Sequence, residues 1–145
     1  MAVGRLRFIK DQSGAALLEF ALFASMLLIL FFGIIDIGRA LFTANNLTAA
    51  AREGARYASA GVPVVPTVSD IKNRVATYMS PFGSAPIDTA TQISVTFQPA
   101  LGPGLQSITV TINYPFSWIT PIRALVGGTF TDTLHARARF RWEGS

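Results

Sequence analysis

The feature that most constrains this chain is a long apolar run from Ala15 to Ile35, in which Glu19 is the one charged residue. As a helix rising about 1.5 Å per residue it would be roughly 31 Å long, close to the hydrocarbon thickness of a bilayer. We therefore predict a membrane-inserted helix over residues 15–35. The alternative is a buried helix of a soluble protein, although such helices usually carry apolar runs of only about 10–14 residues.

The rest of the chain has room for one small domain. Of 145 residues, 14% are charged, against roughly 25% in soluble domains, and much of this bias lies in the N-terminal third. We predict a basic leader over residues 1–14, the membrane helix over 15–35, an extramembrane continuation of that helix over 36–60, and an exported domain over 61–145.

Composition also argues against several classes of function. The net charge is +4, but the basic residues are scattered and no nucleic-acid motif accompanies them. The absence of cysteine excludes disulfides, thiol catalysis and thiolate-bound metals. His135, the single histidine, has neither metal-ligand partners at useful spacing nor an evident nucleophile. We predict no enzyme, no metal, no cofactor and no small-molecule substrate.

Charge around the apolar run indicates its orientation. Arg5, Arg7 and Lys10 precede it, and cytoplasmic flanks carry the excess of Lys and Arg. The N-terminus is therefore predicted to be cytoplasmic and the C-terminal domain periplasmic, although further arginines follow the run. A cleaved secretory signal peptide is the alternative, but its apolar core is typically about 7–15 residues with a cleavage site directly after it.

Glu19 does not fit a plain membrane anchor, since a carboxylate at the centre of a spanning helix costs about 2.5–3.5 kcal/mol, and less near an end. It is either a tolerated side chain that reaches the interface or the partner of a specific positive charge during assembly. The order Gly14, Glu19, Phe20 ahead of a long apolar helix resembles the processing site of type IV pilin-like proteins.

That resemblance implies a cut between Gly14 and Ala15 by a membrane prepilin peptidase. The new α-amine of Ala15 would lie about one helical turn from Glu19, so the Glu19 carboxylate of one subunit could neutralise the amine of its neighbour. Glycine before the cut suits a protease that needs an extended backbone without a side chain.

Three ordered segments extend the resemblance over about Gly14 to Ala60. They are similar to the TadE-like family, the pseudopilins or minor pilins of tight-adherence (Tad) pilus systems. This implies a bacterial inner-membrane protein that assembles with other pilins and the Tad inner-membrane platform, and that could reach an extracellular pilus. Ser25 stands where members often carry a proline that kinks the helix. The segments are Glu19–Leu22, Phe32–Arg39 and Ala50–Ala58.

Beyond Ile35, small apolar residues recur at spacings of three and four, which predicts one continuous helix from about Ala15 to Ala60. Gly61 and Pro63 are stop signals. Such a stripe permits close approach of its own sheet, of neighbouring subunits, or of both at different heights. The stripe consists of Ala40, Ala44, Leu47, Ala51, Ala55 and Ala58.

The exported domain is predicted to contain one helix and three strands. The helix begins after Thr67 or Ser69, ends by Pro81, and presents Val68, Ile71, Val75 and Tyr78 or Met79 on one face. Alternating patterns predict strands over 93–97, 108–114 and from Gly127-Gly128 to Trp142, with loops at 99–104 and 116–126. The fold class is therefore α+β, a long N-terminal helix against a three-stranded, mostly antiparallel sheet.

The last predicted strand places Arg137, Arg139 and Arg141, with His135, on one exposed face. This face either is solvated and protects the sheet from edge aggregation, or binds an acidic partner or lipid headgroups.

Three functional hypotheses follow. The first is a TadE-like pseudopilin cut after Gly14 and acting by assembly. The second is an uncleaved single-pass membrane protein that binds a partner through the three arginines. The third, a membrane-anchored hydrolase, requires a nucleophile–base pair that the sequence does not offer.

Overall fold

A computed structural model of the chain describes residues 12–60, 66–82, 86–99, 105–120, 127–128 and 131–143. It confirms the α+β class, with one long helix followed by a short helix and a three-stranded antiparallel sheet. The predicted leader residues 1–11 and the helix-stop residues Gly61 and Pro63 lie outside the described residues. The elements are α1 (Gln12–Ser59), α2 (Val68–Met79), a 3-10 turn (Ser80–Phe82), β1 (Ile93–Pro99), β2 (Leu105–Ser117) and β3 (Thr131–Glu143).

Helix α1 runs without interruption from the apolar segment into the domain. No proline occurs within it, so no backbone N–H is missing from its hydrogen-bond ladder. At Ser25 the hydroxyl donates to the carbonyl of Ala21 at 2.7 Å, within the same helix. The continuous helix predicted from the spacing of small residues is confirmed.

Helix α2 begins at a capping box. The Thr67 hydroxyl accepts from the backbone N–H of Asp70, and the Asp70 carboxylate accepts from the backbone N–H of Thr67. Hydrogen bonds donated to the Asp70 carboxylate by the Thr67 hydroxyl and by the Thr67 backbone N–H, in that order, hold the pKa of Asp70 below its ordinary value. Ile71, Val75 and Met79 are buried as predicted. Val68 is exposed, because the first residue of the helix lies at the margin of the core.

The sheet has the order β1-β2-β3, with both pairs antiparallel. Strand β2 is longer than predicted, because it continues through Pro115 and Phe116, which the sequence analysis placed at the strand end and in a loop. Proline is tolerated there because β1 pairs only as far as Ile112, so the side of β2 that lacks the N–H meets no strand. Strand β3 begins at Thr131, later than predicted, and Gly127 has the positive φ of a turn.

The core lies between the distal half of α1, α2 and one face of the sheet. Leu47, Ala51, Ala55 and Ala58 from the predicted stripe are fully or almost fully buried, whereas the earlier alanines of the stripe are half-buried. The stripe therefore packs on the chain's own domain. The other core residues are Ala50, Ile71, Val75, Met79, Ile93, Ile108, Val110, Ile112, Tyr114, Ala136 and Ala138.

Candidate functional site

The largest exposed apolar surface of the described residues is the N-terminal half of α1. Its long side chains contact little else; Phe20 is 68% exposed and Met26 is 74% exposed. A contiguous apolar surface of this extent indicates contact with lipid or with another protein. In the part of the chain that the structure describes, α1 is the one helix long and apolar enough to cross a membrane, which fits a single-pass membrane anchor.

The predicted processing residues lie at the far N-terminal end of this surface. Gly14 and Ala15 are in the first turns of α1, and Glu19 and Phe20 follow on the exposed helix. Glu19 makes no hydrogen bond or ion pair with any residue that the structure describes. Its Cα lies about 6 Å along the helix axis from that of Ala15.

The backbone at Gly14 differs from the extended form that a peptidase is expected to need, because Gly14 is helical. The first N–H groups of a helix have no intrahelical partner, so this end frays most easily. A Cβ placed on Gly14 would meet nothing within 4 Å. A side chain at this position can therefore be introduced without disturbing the fold.

Asp36, directly after the apolar run, is the most connected polar residue of α1. Its side chain is 1% exposed and accepts hydrogen bonds from four donors, three on the segment that follows β2 and one on its own helix. The donors are the backbone N–H of Ile119 at 3.0 Å, the backbone N–H and hydroxyl of Thr120 at 2.8 and 2.7 Å, and the guanidinium of Arg39 at 3.0 Å. Buried carboxylates require such complete pairing.

Aromatic side chains lie beside Arg39, one of the partners of this carboxylate. The Arg39 guanidinium carbon lies 5.3 Å from the centre of the Phe116 ring, and Phe116 meets Trp118 edge-to-face at 5.2 Å. Asp36 lies within the family-like segment Phe32–Arg39, but no partner was predicted for it from the sequence. The available signal was an acid directly after an apolar run with Arg39 three residues on, but its partners are 83 and 84 residues away.

A second polar cluster joins α1 to α2. The Glu53 carboxylate accepts from Arg56 at 3.0 Å and from Arg74 at 2.8 Å. Hydrogen bonds from Arg56 and Arg74, in that order, outweigh burial and hold the pKa of Glu53 below its ordinary value. The guanidinium of Arg74 also lies over the Tyr57 ring at 5.9 Å.

The predicted arginine face lies on the side of β3 opposite α1, and Arg137, Arg139 and Arg141 are all exposed. Arg139 donates to the Ser107 hydroxyl across the strand pair at 2.9 Å. Among the residues whose side chains the structure describes, which do not include Glu143, no carboxylate lies within ion-pair distance of these three arginines. The face is separate from the Gly14–Phe20 segment, which the structure places at the other end of the molecule.

His135 lies on the same face as the arginines. Its Nδ1 is 2.8 Å from the Asn113 side-chain oxygen across the strand pair. No group of three or more acidic, histidine or cysteine side chains that could hold a metal ion occurs within the described ranges.

Comparison with protein families finds a match to the family described as TadE-like protein, over residues 14–56. The match begins at Gly14 and takes in the exposed apolar surface, Asp36 and Glu53. It confirms the resemblance that the sequence motifs indicated, over the N-terminal third of the chain, and supports a pilin-like protein related to the Tad pilus. Searches of curated proteins and of solved structures gave no match.

Proposed function

We propose that this chain, whose N-terminal third is TadE-like, is a minor pilin or pseudopilin subunit of a Tad-type pilus biogenesis system. Residues 15–35 anchor it in the inner membrane with the N-terminus cytoplasmic and the domain periplasmic. A prepilin peptidase cuts between Gly14 and Ala15. The product acts by assembly with other pilin-like subunits and the Tad inner-membrane platform, with no catalytic activity of its own.

One observation carries this proposal: the apolar half of α1 is exposed while the other half of the same helix forms the core of a folded domain. Such a helix has to be covered by lipid or by other subunits. Glu19 and Phe20 lie on the uncovered part, so they are available to neighbouring chains. Within a membrane or a filament, pairing of Glu19 with the amine of a neighbouring Ala15 would remove the cost of two isolated charges.

The test is the intact mass of the protein recovered from membranes of a host that contains the matching prepilin peptidase. We expect a mass that begins at Ala15, and the full 15.6 kDa chain in the same host without the peptidase. Gly14→Leu is expected to block the cut, because it adds a side chain beside the scissile bond while leaving the fold unchanged.

Gly38→Ala is the matched control, since Gly38 lies on the same helix and its Cβ also meets nothing within 4 Å. We expect this variant to be cut like the wild type. Recovery of the full-length wild-type chain in the presence of active peptidase would contradict the proposal.

The second candidate function, an uncleaved membrane-anchored interaction protein, is favoured by the three arginines without a described acidic partner. The arginine face lies far from the end of the apolar run. At the level of Gly54 the helix approaches Val110, and Val110 pairs with Ala138, the neighbour of Arg137. Gly54 is eighteen residues beyond Asp36, which places this face about 27 Å along the helix from Asp36. Charges interact over only about 8–10 Å at physiological salt, so an acidic protein surface suits this face better than lipid headgroups. This candidate predicts that Gly14→Leu has no consequence.

A further inference from the structure

The exposed apolar surface of α1 does not end at Ile35. Ile37, Leu41 and Phe42 are each more than half exposed, and uncharged polar residues become frequent only from Thr43 onward. The helix from Ala15 to Phe42 is roughly 42 Å long. That length matches a whole bilayer including its headgroup regions, about 40–45 Å, rather than the hydrocarbon core alone.

The two charged residues in this extension are compatible with the headgroup region. Asp36 is buried beneath Ile119 and Thr120 and paired with Arg39, so it presents no free carboxylate. The Arg39 side chain is 42% exposed, and an arginine near the end of a spanning helix can reach the phosphate level.

Aromatic side chains from three parts of the domain lie beside the same stretch of helix. Phe116 and Trp118 lie next to Arg39, as described above. The Phe42 ring is 6.2 Å from that of Phe82 in the 3-10 turn, and Tyr78 of α2 is 5.7 Å from Phe82. Tryptophan and tyrosine are enriched at membrane–water interfaces. Tyr78 is 37% exposed, whereas Trp118 is half-buried with its indole nitrogen inside the fold. Ile119, directly after Trp118 in the sequence, is 64% exposed.

We propose that the base of the domain, formed by Tyr78, Phe82 and the segment Phe116–Thr120, rests in the phospholipid interface. Ile119 would enter the boundary between headgroups and acyl chains. The inference rests on the proposed membrane insertion of α1 and goes beyond it, because it places the domain directly on the lipid surface. Asp36 then fixes the base at the depth where the apolar helix leaves the hydrocarbon.

The chain's two tryptophans provide the test, because they lie at opposite ends of the sheet. Trp118 follows the end of β2 at the proposed base, whereas Trp142 pairs with Gln106 near the other end of β2. The two positions are about 35–40 Å apart along the strands. Trp142→Phe leaves Trp118 as the single tryptophan, and Trp118→Phe leaves Trp142.

Each full-length variant is reconstituted into vesicles of phosphatidylcholine and phosphatidylglycerol that contain lipids brominated close to the headgroup. We expect several-fold stronger quenching of Trp118 fluorescence than of Trp142 fluorescence. Ile119→Asp, which keeps the backbone N–H that Asp36 accepts, is expected to lower the quenching of Trp118 toward that of Trp142.

A third reporter separates this proposal from membrane insertion itself. Phe31→Trp, in a chain with both natural tryptophans replaced by phenylalanine, places the fluorophore within the apolar run. Quenching of this tryptophan by lipids brominated deep in the acyl chain, together with no quenching of Trp118 by the lipids brominated close to the headgroup, would overturn the membrane-resting base and leave the proposed function intact. No quenching at position 31 would overturn membrane insertion as well.

Discussion

Asp36 joins two parts of the chain that are 83 and 84 residues apart. Its carboxylate accepts hydrogen bonds from two backbone N–H groups and a hydroxyl of the segment that follows β2. Each of these donors would lose its partner if the carboxylate were removed, and Arg39 would lose its counter-ion. Asp36 therefore holds the segment after β2 against α1 through charged hydrogen bonds, whereas the core residues hold the sheet against α1 through apolar packing.

Asp36→Ala is expected to destabilise the domain by about 3–5 kcal/mol, the usual cost of removing one partner from a buried ionic cluster. Thr120→Val removes one hydroxyl donor and should cost only about 1 kcal/mol. Urea unfolding of the full chain in detergent, followed by tryptophan fluorescence, measures both values.

Asp36→Asn is the matched control, since it keeps one acceptor oxygen and nearly the same volume but no charge. An intermediate loss is expected. Equal midpoints of unfolding for Asp36→Ala and the wild type would show that the carboxylate does not hold the two segments together.

At the scale of elements, α1 and α2 approach closely at Gly54. A Cβ on Gly54 would lie 2.5 Å from the Cγ2 atom of Val75 and 3.7 Å from Ile71 and Val110 side-chain atoms. Real Cβ contacts are longer than this, so the glycine permits the spacing of the two helices. The family match also reaches this position.

Gly54→Ala is expected to destabilise the domain by about 1–3 kcal/mol through overpacking. Gly38→Ala, in the same helix with open space around its Cβ, should instead stabilise by up to about 1 kcal/mol through helix propensity. Thermal unfolding of the two variants beside the wild type measures the difference. Stabilisation by both substitutions would contradict the close approach.

The Glu53 cluster makes the contact between α1 and α2 dependent on pH. Because the pKa of Glu53 is lowered on folding from its ordinary value of 4.5, folding favours the ionised carboxylate. The stabilisation is complete above that value and is lost as the pH falls through the lower pKa of the folded state. Both arginines are at least half exposed, so the effect is on the order of 1 kcal/mol.

We therefore expect the stability difference between the wild type and Glu53→Gln to be constant near neutral pH and to shrink in acid below about pH 4.5. Urea midpoints measured across this range test it. For Arg52→Gln, on the same helix, the stability difference from the wild type should not shrink in acid. A difference for Glu53→Gln that stays constant into acid would exclude the ionised carboxylate as the stabilising group.

Local periodicity was sufficient to predict most elements, whereas contacts between distant segments were not predictable. The spacing of Leu47, Ala51 and Ala55 fixes a helix face, and the alternation of Val110 and Ile112 fixes a strand face, because each pattern is set by neighbours along the chain. The pairing of Asp36 with Thr120 depends on how two remote segments meet. The end of β2 was not predicted, because Pro115 is normally read as the end of a strand. A proline is accepted at this position only because β1 ends before it.

For the candidate site, sequence motifs located Gly14, Glu19 and the arginine strand, since each is a local signature. The burial of Asp36 and the aromatic residues at the base of the domain required the folded chain. Phe42 and Phe82 come from different elements, and nothing in their local sequence indicates that their rings meet.

At the scale of the whole molecule, the domain's core takes part of its residues from α1. Leu47, Ala50, Ala51, Ala55 and Ala58 belong to the same buried cluster as the sheet residues. The segment 61–145, which the sequence analysis treated as the exported domain, therefore lacks one side of its own core. We therefore expect the folding unit to begin within the helix, near Asp36.

A fragment of residues 36–145 is expected to be folded and to melt cooperatively, because it keeps the whole buried cluster and the Asp36 hydrogen bonds. A fragment of residues 61–145 should show no cooperative transition, because its sheet face would be uncovered. Circular dichroism during heating distinguishes them. Similar melting of both fragments would place the folding unit in residues 61–145 alone.

The unbroken course of α1 has a mechanical consequence. A helix of 48 residues is about 72 Å long, and its two halves share one hydrogen-bond ladder with no hinge between them. A push or a twist applied near Ala15 is therefore transmitted to Ala58, and the domain clamped around that end must turn and advance with it. A force applied only to the apolar half of the helix would therefore also determine the position and the orientation of the domain.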